Sequence, residues 1–426
     1  MPEKIRFIAS FLASIEIWLV GMAVVASIIW PVFLPVTVAV AAFFWIIRWL
    51  AFGRISLRSP GDWAIVILVV MGLVTLWISQ FPDRTQSQLL RLLSGIGLFY
   101  SIVNWGISKE RYRLLILGIG FSGVSLAILA PITVGWSDHK LSLIPSGIFD
   151  NFPLVLPEPI HPNVMAGILV ILLPIVFAIL VFDWIELSLL ARVSVVVACL
   201  VMFVILILTK SRRAWLAFSA VGFVLVMLRW RWGWIVSVLA LVTAAIIVNS
   251  IGVTETLEAL MVNNTLGGVT ERMETWTRAL YILNDFPLTS VGMGSFMETV
   301  DRLYPLFLQR PGVVDHAHNL FFQIGIDLAL PGLVAWSAGL LLVVVMAWKL
   351  YRYGSRTHNP WVEGLGAGLF CSQLALSIHG LTDAVTWGMV RPAPVVWALW
   401  GLVISGWYVY VVRISDRLDL GEFQKL

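Results

Sequence analysis

Long apolar runs alternate with short polar breaks along most of the chain. A helix that crosses a bilayer needs about 20 mostly apolar residues. On that measure the pattern predicts spans near 8–30, 32–51, 62–79, 89–107, 113–135, 163–183, 190–209, 213–229, 234–251, 320–348, 364–383 and 393–412. Pro31 and the stretch from Gly53 to Gly61 separate the early spans. The expected fold class is an all-α integral membrane protein with about twelve transmembrane helices and a large extracytoplasmic loop containing short helices. Residues 1–251 would carry spans one to nine, 252–319 the loop, and 320–426 the last three spans. The first apolar run is read as a helix and not a signal peptide, because no small-x-small cleavage site follows it.

Composition narrows the class. Hydrophobic residues make up 60% of the 426 residues and charged residues 12%, where a soluble domain averages about 25% charged. A water-soluble fold this apolar would expose large sticky patches. The 21 Trp residues suit the two membrane interfaces, where an apolar ring with one N–H donor sits at headgroup level. Cys199 and Cys371 both lie inside apolar runs, so they read as core packing and form neither a disulfide framework nor a zinc site.

The net charge of +4 matters less than its placement. With both termini in the cytoplasm, the inner segments hold 17 of the 28 Lys and Arg residues, which agrees with the positive-inside rule and an even span count. The other eleven fall outside. Two outer segments are long, roughly 136–162 and 252–319, and loops of that length are usually functional or disordered. The second has the pattern of order: Met273, Trp276, Leu280 and Leu283 recur at helical spacing before Pro287.

Three groups on the expected outer side could carry chemistry. Lys210, Arg212 and Arg213 flank Ser211 at the start of a span, and no Asp or Glu lies between Glu186 and Glu255. Cations at a helix N-terminus oppose its dipole, and a bound anion would relieve that; headgroup anchoring, with Ser211 as N-cap, is the plainer reading. In the loop, Glu274 stands four residues before Arg278, a spacing that favours an ion pair, whereas Arg272 has no carboxylate three or four positions away. Third, Asp315-His316-Ala317-His318-Asn319 precedes a span, with Asn319 or a neighbour as its cap. A histidine there could take a proton at neutral pH, while a metal site would need a third ligand. Deeper, His379 and Asp383 share one helix face and could satisfy each other. Asp327 followed by Pro331 suggests a broken segment lining a polar cavity. Arg391 could add a further cation, and His161 reads as a helix cap.

The run Lys210-Ser211-Arg212-Arg213-Ala214-Trp215 resembles the S-R-x-A-W signature of the O-antigen ligase and polymerase superfamily. Arg272 through Trp276, then Pro287-Leu288 and Gly292-Met293-Gly294, resembles its R…W…PL-x-G-x-G stretch. His316-Ala317-His318-Asn319 through Gln323 resembles its H-x-H-N-x-x-L-Q motif. The three occur in order over about 120 residues, with Arg213 where Gly is frequent and Phe322 where Leu is common.

The resemblance implies a glycosyltransferase of the C type, an O-antigen-ligase-like enzyme that takes a glycan from undecaprenyl diphosphate at the outer leaflet of the bacterial cytoplasmic membrane. A ligase passes the glycan to a lipid A–core sugar, a polymerase to another lipid-linked repeat. It assigns the diphosphate to Arg212 and Arg272, with Lys210, Arg213 and Arg278 assisting. His318 becomes the catalytic base, supported by His316 or Asp383. The expected reaction is inverting and needs neither metal nor cofactor, and its partners are the lipid-linked donor, a lipid or glycan acceptor and membrane lipids, with no nucleic acid. A small-anion, bicarbonate-like transporter is the rival of another class, and it should place its site near the bilayer midplane.

Overall fold

The computed structural model describes residues 3–136, 154–156, 158–183, 186–230, 269–388 and 390–412, with scattered positions between 232 and 250. In chain order these form α1 (Glu3–Ile29), α2 (Leu34–Phe52), α3 (Asp62–Ile78), α4 (Pro82–Trp105), α5 (Lys109–Thr133), α6 (Pro162–Phe182), α7 (Leu189–Leu208) and α8 (Arg212–Arg229). There follow α9 (Val269–Asp285), α10 (Phe296–Leu303), α11 (Leu320–Arg356), α12 (Pro360–Gly380) and α13 (Pro394–Gly406), which runs on as a π turn, Trp407–Val412. Among the described residues the one extended pairing is a parallel bridge between Val134 and Ile160.

Eight of these helices are long and apolar enough to cross a membrane: α1, α2 with its leading turn, α5, α6, α7, α11, α12, and α13 with its π turn. They coincide with eight of the expected spans. Three further expected spans fall on α3, which has 17 residues, on α4, whose first turns are polar, and on α8, which carries Arg212, Arg213 and Arg229. The expected span at 234–251 lies mostly outside the described residues, as does much of the loop at 252–268.

Local signals explain where the helices begin. Pro162 and Pro360 sit in first turns, where a missing N–H costs nothing. His161 accepts from the Asn163 N–H, and Asn359 from the Val362 N–H, both at 3.1 Å. Ser211 precedes α8 without capping it: its hydroxyl is buried and makes no hydrogen bond, so the capping role read from sequence is not realised.

The most enclosed spans are α13 with its π turn and α6, 78% and 72% of whose apolar stretches are buried within the protein, against 22% for α7 at the periphery. Helix α12 packs between α6 and α11 through small residues, which let helix backbones approach closely where no hydrophobic effect drives them together. A Cβ on Gly366 would stand 2.2 Å from the Tyr351 backbone nitrogen, and one on Gly368 2.8 Å from Ile175 Cα.

Helix α11 is broken where the sequence places Asp327 and Pro331. Ala329 takes φ 56°, ψ −177°, a conformation that costs a non-glycine residue about 1–3 kcal/mol. Pro331 has no N–H to offer the Asp327 carbonyl, and the Leu330 N–H turns away to Pro287 O at 2.9 Å. The two carbonyls left without helical donors, Ile326 O and Asp327 O, lie 2.5 and 3.0 Å from the Ser290 hydroxyl. The kink therefore binds the 287–294 turn to the bundle. The polar cavity expected around Asp327 is absent from its surroundings: its Oδ1 accepts from Gly294 N and Gln323 Nε2, both at 3.0 Å, and its Oδ2 from Trp387 Nε1 at 2.8 Å. Three donors fill the carboxylate. Gly294 supplies its N–H from φ +72°, and a Cβ there would press on Gln88 at 3.0 Å.

In α9 the face turned inward carries Thr275, Ala279, Ile282 and Leu283. Of the four apolar residues at helical spacing, Met273 and Leu280 are 59% and 51% exposed. Spacing alone does not distinguish an apolar face that meets protein from one that meets lipid.

Candidate active site

Four segments distant in sequence meet at the end of the bundle where α8 and α11 begin and α12 ends. The turn after α12 supplies Asp383, whose N–H bonds back to His379 O at 3.1 Å. The start of α8 supplies Arg213, α9 supplies Arg272, and the irregular segment before α11 supplies His316 and His318.

The two histidines are held by the backbone around them. Asn319 caps α11, its Oδ1 accepting from Phe321 N at 2.9 Å and Phe322 N at 3.1 Å, while its Nδ2 donates to Leu381 O at 2.9 Å. One side chain thus starts a helix and ties it to the Asp383 turn. Between the histidines, Ala317 N donates to Gln323 Oε1 at 2.8 Å, and Gln323 in turn donates to Asp327. His318 has φ 49°, a left-handed turn that brings its ring to 4.3 Å from that of His316, centroid to centroid.

Asp383 is 1% exposed and central. Its Oδ2 accepts from Arg213 Nη1 at 2.5 Å, and the same nitrogen lies 2.7 Å from Thr382 O. Arg272 Nη1 also donates to Thr382 O. On the other side His316 Nε2 and His318 Nδ1 each stand 3.9 Å from Asp383 Oδ1. Burial alone would raise the Asp383 carboxyl; Arg213, His318 and His316 outweigh it and hold the group well below the usual carboxylate range. Burial, then the neighbouring His318, pushes His316 down to about 3, so its ring is neutral. Burial and the nearby Arg213 lower Arg272 to about 10, which leaves it charged at neutral pH.

These contacts set the tautomers. His316 Nδ1 accepts the His318 backbone N–H at 3.1 Å, so the ring proton of His316 belongs on Nε2, facing Asp383. The Nδ1 of His318 faces the same oxygen and has no hydrogen-bond partner. A proton there leaves Nε2 of His318 with its lone pair on a side chain that is 27% exposed.

The structure thus brings together His316, His318, Asp383, Arg213 and Arg272. Lys210, with φ 54°, is buried just before α8, and Arg212 begins that helix half-buried. Arg278 is occupied elsewhere on α9: it meets Glu274 at 3.5 Å, donates to Pro305 O at 3.1 Å and lies 5.3 Å over the Phe307 ring. His379 is buried, with its Nε2 unbonded, and Asp383 is satisfied by Arg213 in its place. Arg391 pairs with Glu158. Two contributors carried no signal in the sequence: the Thr382 carbonyl shared by both arginines, and Trp387, which anchors Asp327.

His316, His318 and Asp383 are also a donor set of the type that holds a divalent ion, with ligand atoms within 4.8 Å of one another. The same carboxylate carries Arg213, with Arg272 beside it, so an ion there would stand against two guanidinium groups. Positive charge at this site is already supplied by side chains.

No curated protein matches the chain. Residues 197–337 match the family model described as O-antigen ligase. The matched segment contains both arginines and both histidines of the site, while Asp383 lies beyond its end. Over residues 197–337, this membrane protein is therefore similar to the O-antigen ligase family.

Proposed function

We propose that the protein transfers a glycan from undecaprenyl diphosphate to a lipid or glycan acceptor at the outer leaflet of the cytoplasmic membrane, as a ligase, inverting the anomeric carbon without a metal. One observation carries this reading: two arginines and a carboxylate-backed histidine converge at one end of a membrane-embedded bundle. In such a reaction an acceptor hydroxyl attacks the anomeric carbon, the bond to the diphosphate oxygen breaks, and a proton and an anion must both be received.

Arg272 and Arg213, with Arg212 and Lys210 nearby, receive the diphosphate; fixed guanidinium groups stabilise charge as it develops without having to reorganise. His318 takes the hydroxyl proton at Nε2, and Asp383 stabilises the imidazolium through Nδ1. The 3.9 Å separation is longer than a hydrogen bond, and such contacts commonly tighten when substrate closes the site. His316, neutral and bonded to the His318 backbone, fixes the turn on which the base sits. Arg278 braces α9 against residues 305–307.

The test is transfer by the purified protein from undecaprenyl-diphosphate oligosaccharide to candidate acceptors, with and without chelator. Arg213→Ala, Arg272→Ala and His318→Ala should each lower the rate roughly 100-fold or more in folded protein. Full transfer by all three variants overturns the assignment, and loss of transfer on chelation overturns the metal-free part. A polymerase of the same superfamily would yield a ladder of repeats where a ligase yields one transferred chain.

A further inference from the structure

Helix α9 is apolar on two sides. Thr275, Ala279, Ile282 and Leu283 face the protein, yet Leu280 and Tyr281 are exposed on the other side. Leu288, just past the helix, is 67% exposed, and Phe307 and Leu308, in the segment packed beside it, are exposed as well, Phe307 by 82%. A helix bounded by protein and water needs one apolar face; a second one calls for an apolar neighbour.

This outer surface is held in place. Glu274 accepts from Phe307 N at 2.7 Å and from Leu308 N at 3.1 Å, and Arg278 donates to Pro305 O at 3.1 Å. The Arg278 guanidinium lies 5.7 Å over the Tyr281 ring and 5.3 Å over the Phe307 ring, and the Tyr281 and Tyr304 rings stand 6.4 Å apart. Four contacts to α9 thus present the Phe307 ring outward. Glu274 and Arg278 meet at 3.5 Å, so their charges offset each other beneath it.

Its neighbours indicate what covers it. Pro287 O accepts from Leu330 N at 2.9 Å, which sets Leu288 beside α11. Leu330, Val334 and Leu341, four and seven residues apart, are exposed along that helix, which is long and apolar enough to cross a membrane. The Ser290 hydroxyl lies 3.3 Å from that of Thr75, near the end of α3, where Trp77 is 87% exposed. A tryptophan so placed suits the headgroup level. The lipid-facing side of α11 therefore leads onto Leu288 and α9 at the rim of the bundle. We propose that α9 and residues 303–308 dip into the adjacent leaflet, with Leu280, Leu288, Phe307 and Leu308 against lipid chains and Arg278 and Tyr281 at the headgroups. Helix α9 carries Arg272 nearer its other end, so this contact sets the height of that guanidinium relative to the bilayer. The proposal concerns how the protein is seated and stands apart from glycan transfer.

Because Cys199 and Cys371 are buried, Phe307→Cys, Leu280→Cys and Thr357→Cys can each be labelled with an environment-sensitive nitrobenzoxadiazole dye. Thr357 is exposed in the turn after α11 and serves as the aqueous reference. Full-length protein is reconstituted in phosphatidylcholine nanodiscs, with or without brominated acyl chains. Labels at 307 and 280 should lose roughly half their emission to the brominated chains and resist iodide, while the label at 357 does the reverse. Iodide quenching at 307 and 280 equal to that at 357 overturns the proposal. So does protection from iodide without quenching by brominated lipid, the result a second copy of the chain would give.

Discussion

Asp383 uses its two oxygens differently, one for Arg213 and one facing both imidazoles, so its charge can be removed with little change of shape. Asp383→Asn should lower kcat roughly 100-fold. Steady-state kinetics in folded protein check this, and a near-parental kcat would show that the carboxylate does not serve the base. His316 gives a separate, structural prediction. Its pKa of about 3 lies below the ordinary value of about 6.5, so between those values the unfolded chain binds a proton that the folded protein does not. The stability that follows from a neutral His316 is fully present above about pH 6.5 and is lost progressively as the pH falls toward 3. Thermal unfolding at pH 7 and pH 5 should show a larger acid-induced fall for the parent than for His316→Gln, and equal falls would contradict it.

At the scale of elements, the kink in α11 is what holds the site's geometry. From Asp327, through Gln323, to the backbone between the two histidines, each link is a hydrogen bond of 2.8–3.0 Å. An asparagine at 327 has one acceptor oxygen where three donors converge, so one of Gly294 N, Gln323 Nε2 or Trp387 Nε1 loses its partner. Asp327→Asn should cost about 1–3 kcal/mol in unfolding free energy and lower kcat with little change in the donor KM. Gln323→Ala should reproduce the kcat loss, because it cuts the same link one step nearer the histidines. A parental kcat in both variants would leave Asp327 with a purely structural role. Parts of this element were legible in the sequence: Asn319 as cap, Pro331 as the break, and the Glu274–Arg278 spacing, each of which depends on residues a turn apart. The filling of Asp327 by Gly294 and Trp387 was not, because those partners lie 33 and 60 positions away and only the fold brings them close.

For the whole molecule, the run lengths of apolar residues were enough to expect a membrane bundle, and eight of the expected spans fall on helices long and apolar enough to cross. Helix α3 is as apolar as these and falls short in length alone, whereas α4 shows why counting by hydropathy weakens where polar side chains have protein partners: Arg91, inside α4, is buried against Gly388 O. The site was half legible. The order of Arg212, Arg272 and His318 along the chain carried a family's pattern, but that Arg213 and not Arg212 is the partner of Asp383, 170 residues distant, followed only from the folded geometry. Direction across the membrane rests on the count of basic residues and can be tested directly. Cys199 and Cys371 are buried, so a single exposed cysteine added to the native chain reports its own side. Arg310→Cys lies in the exposed stretch between α10 and the histidines, and Thr357→Cys is exposed just past the far end of α11. Because α11 leads from the active-site end to that far end, the two positions should behave oppositely. In right-side-out vesicles a membrane-impermeant maleimide should label Arg310→Cys at once and Thr357→Cys only after permeabilisation. The reverse pattern would put the arginines and histidines on the cytoplasmic face, where a donor displayed on the outer leaflet could not reach them.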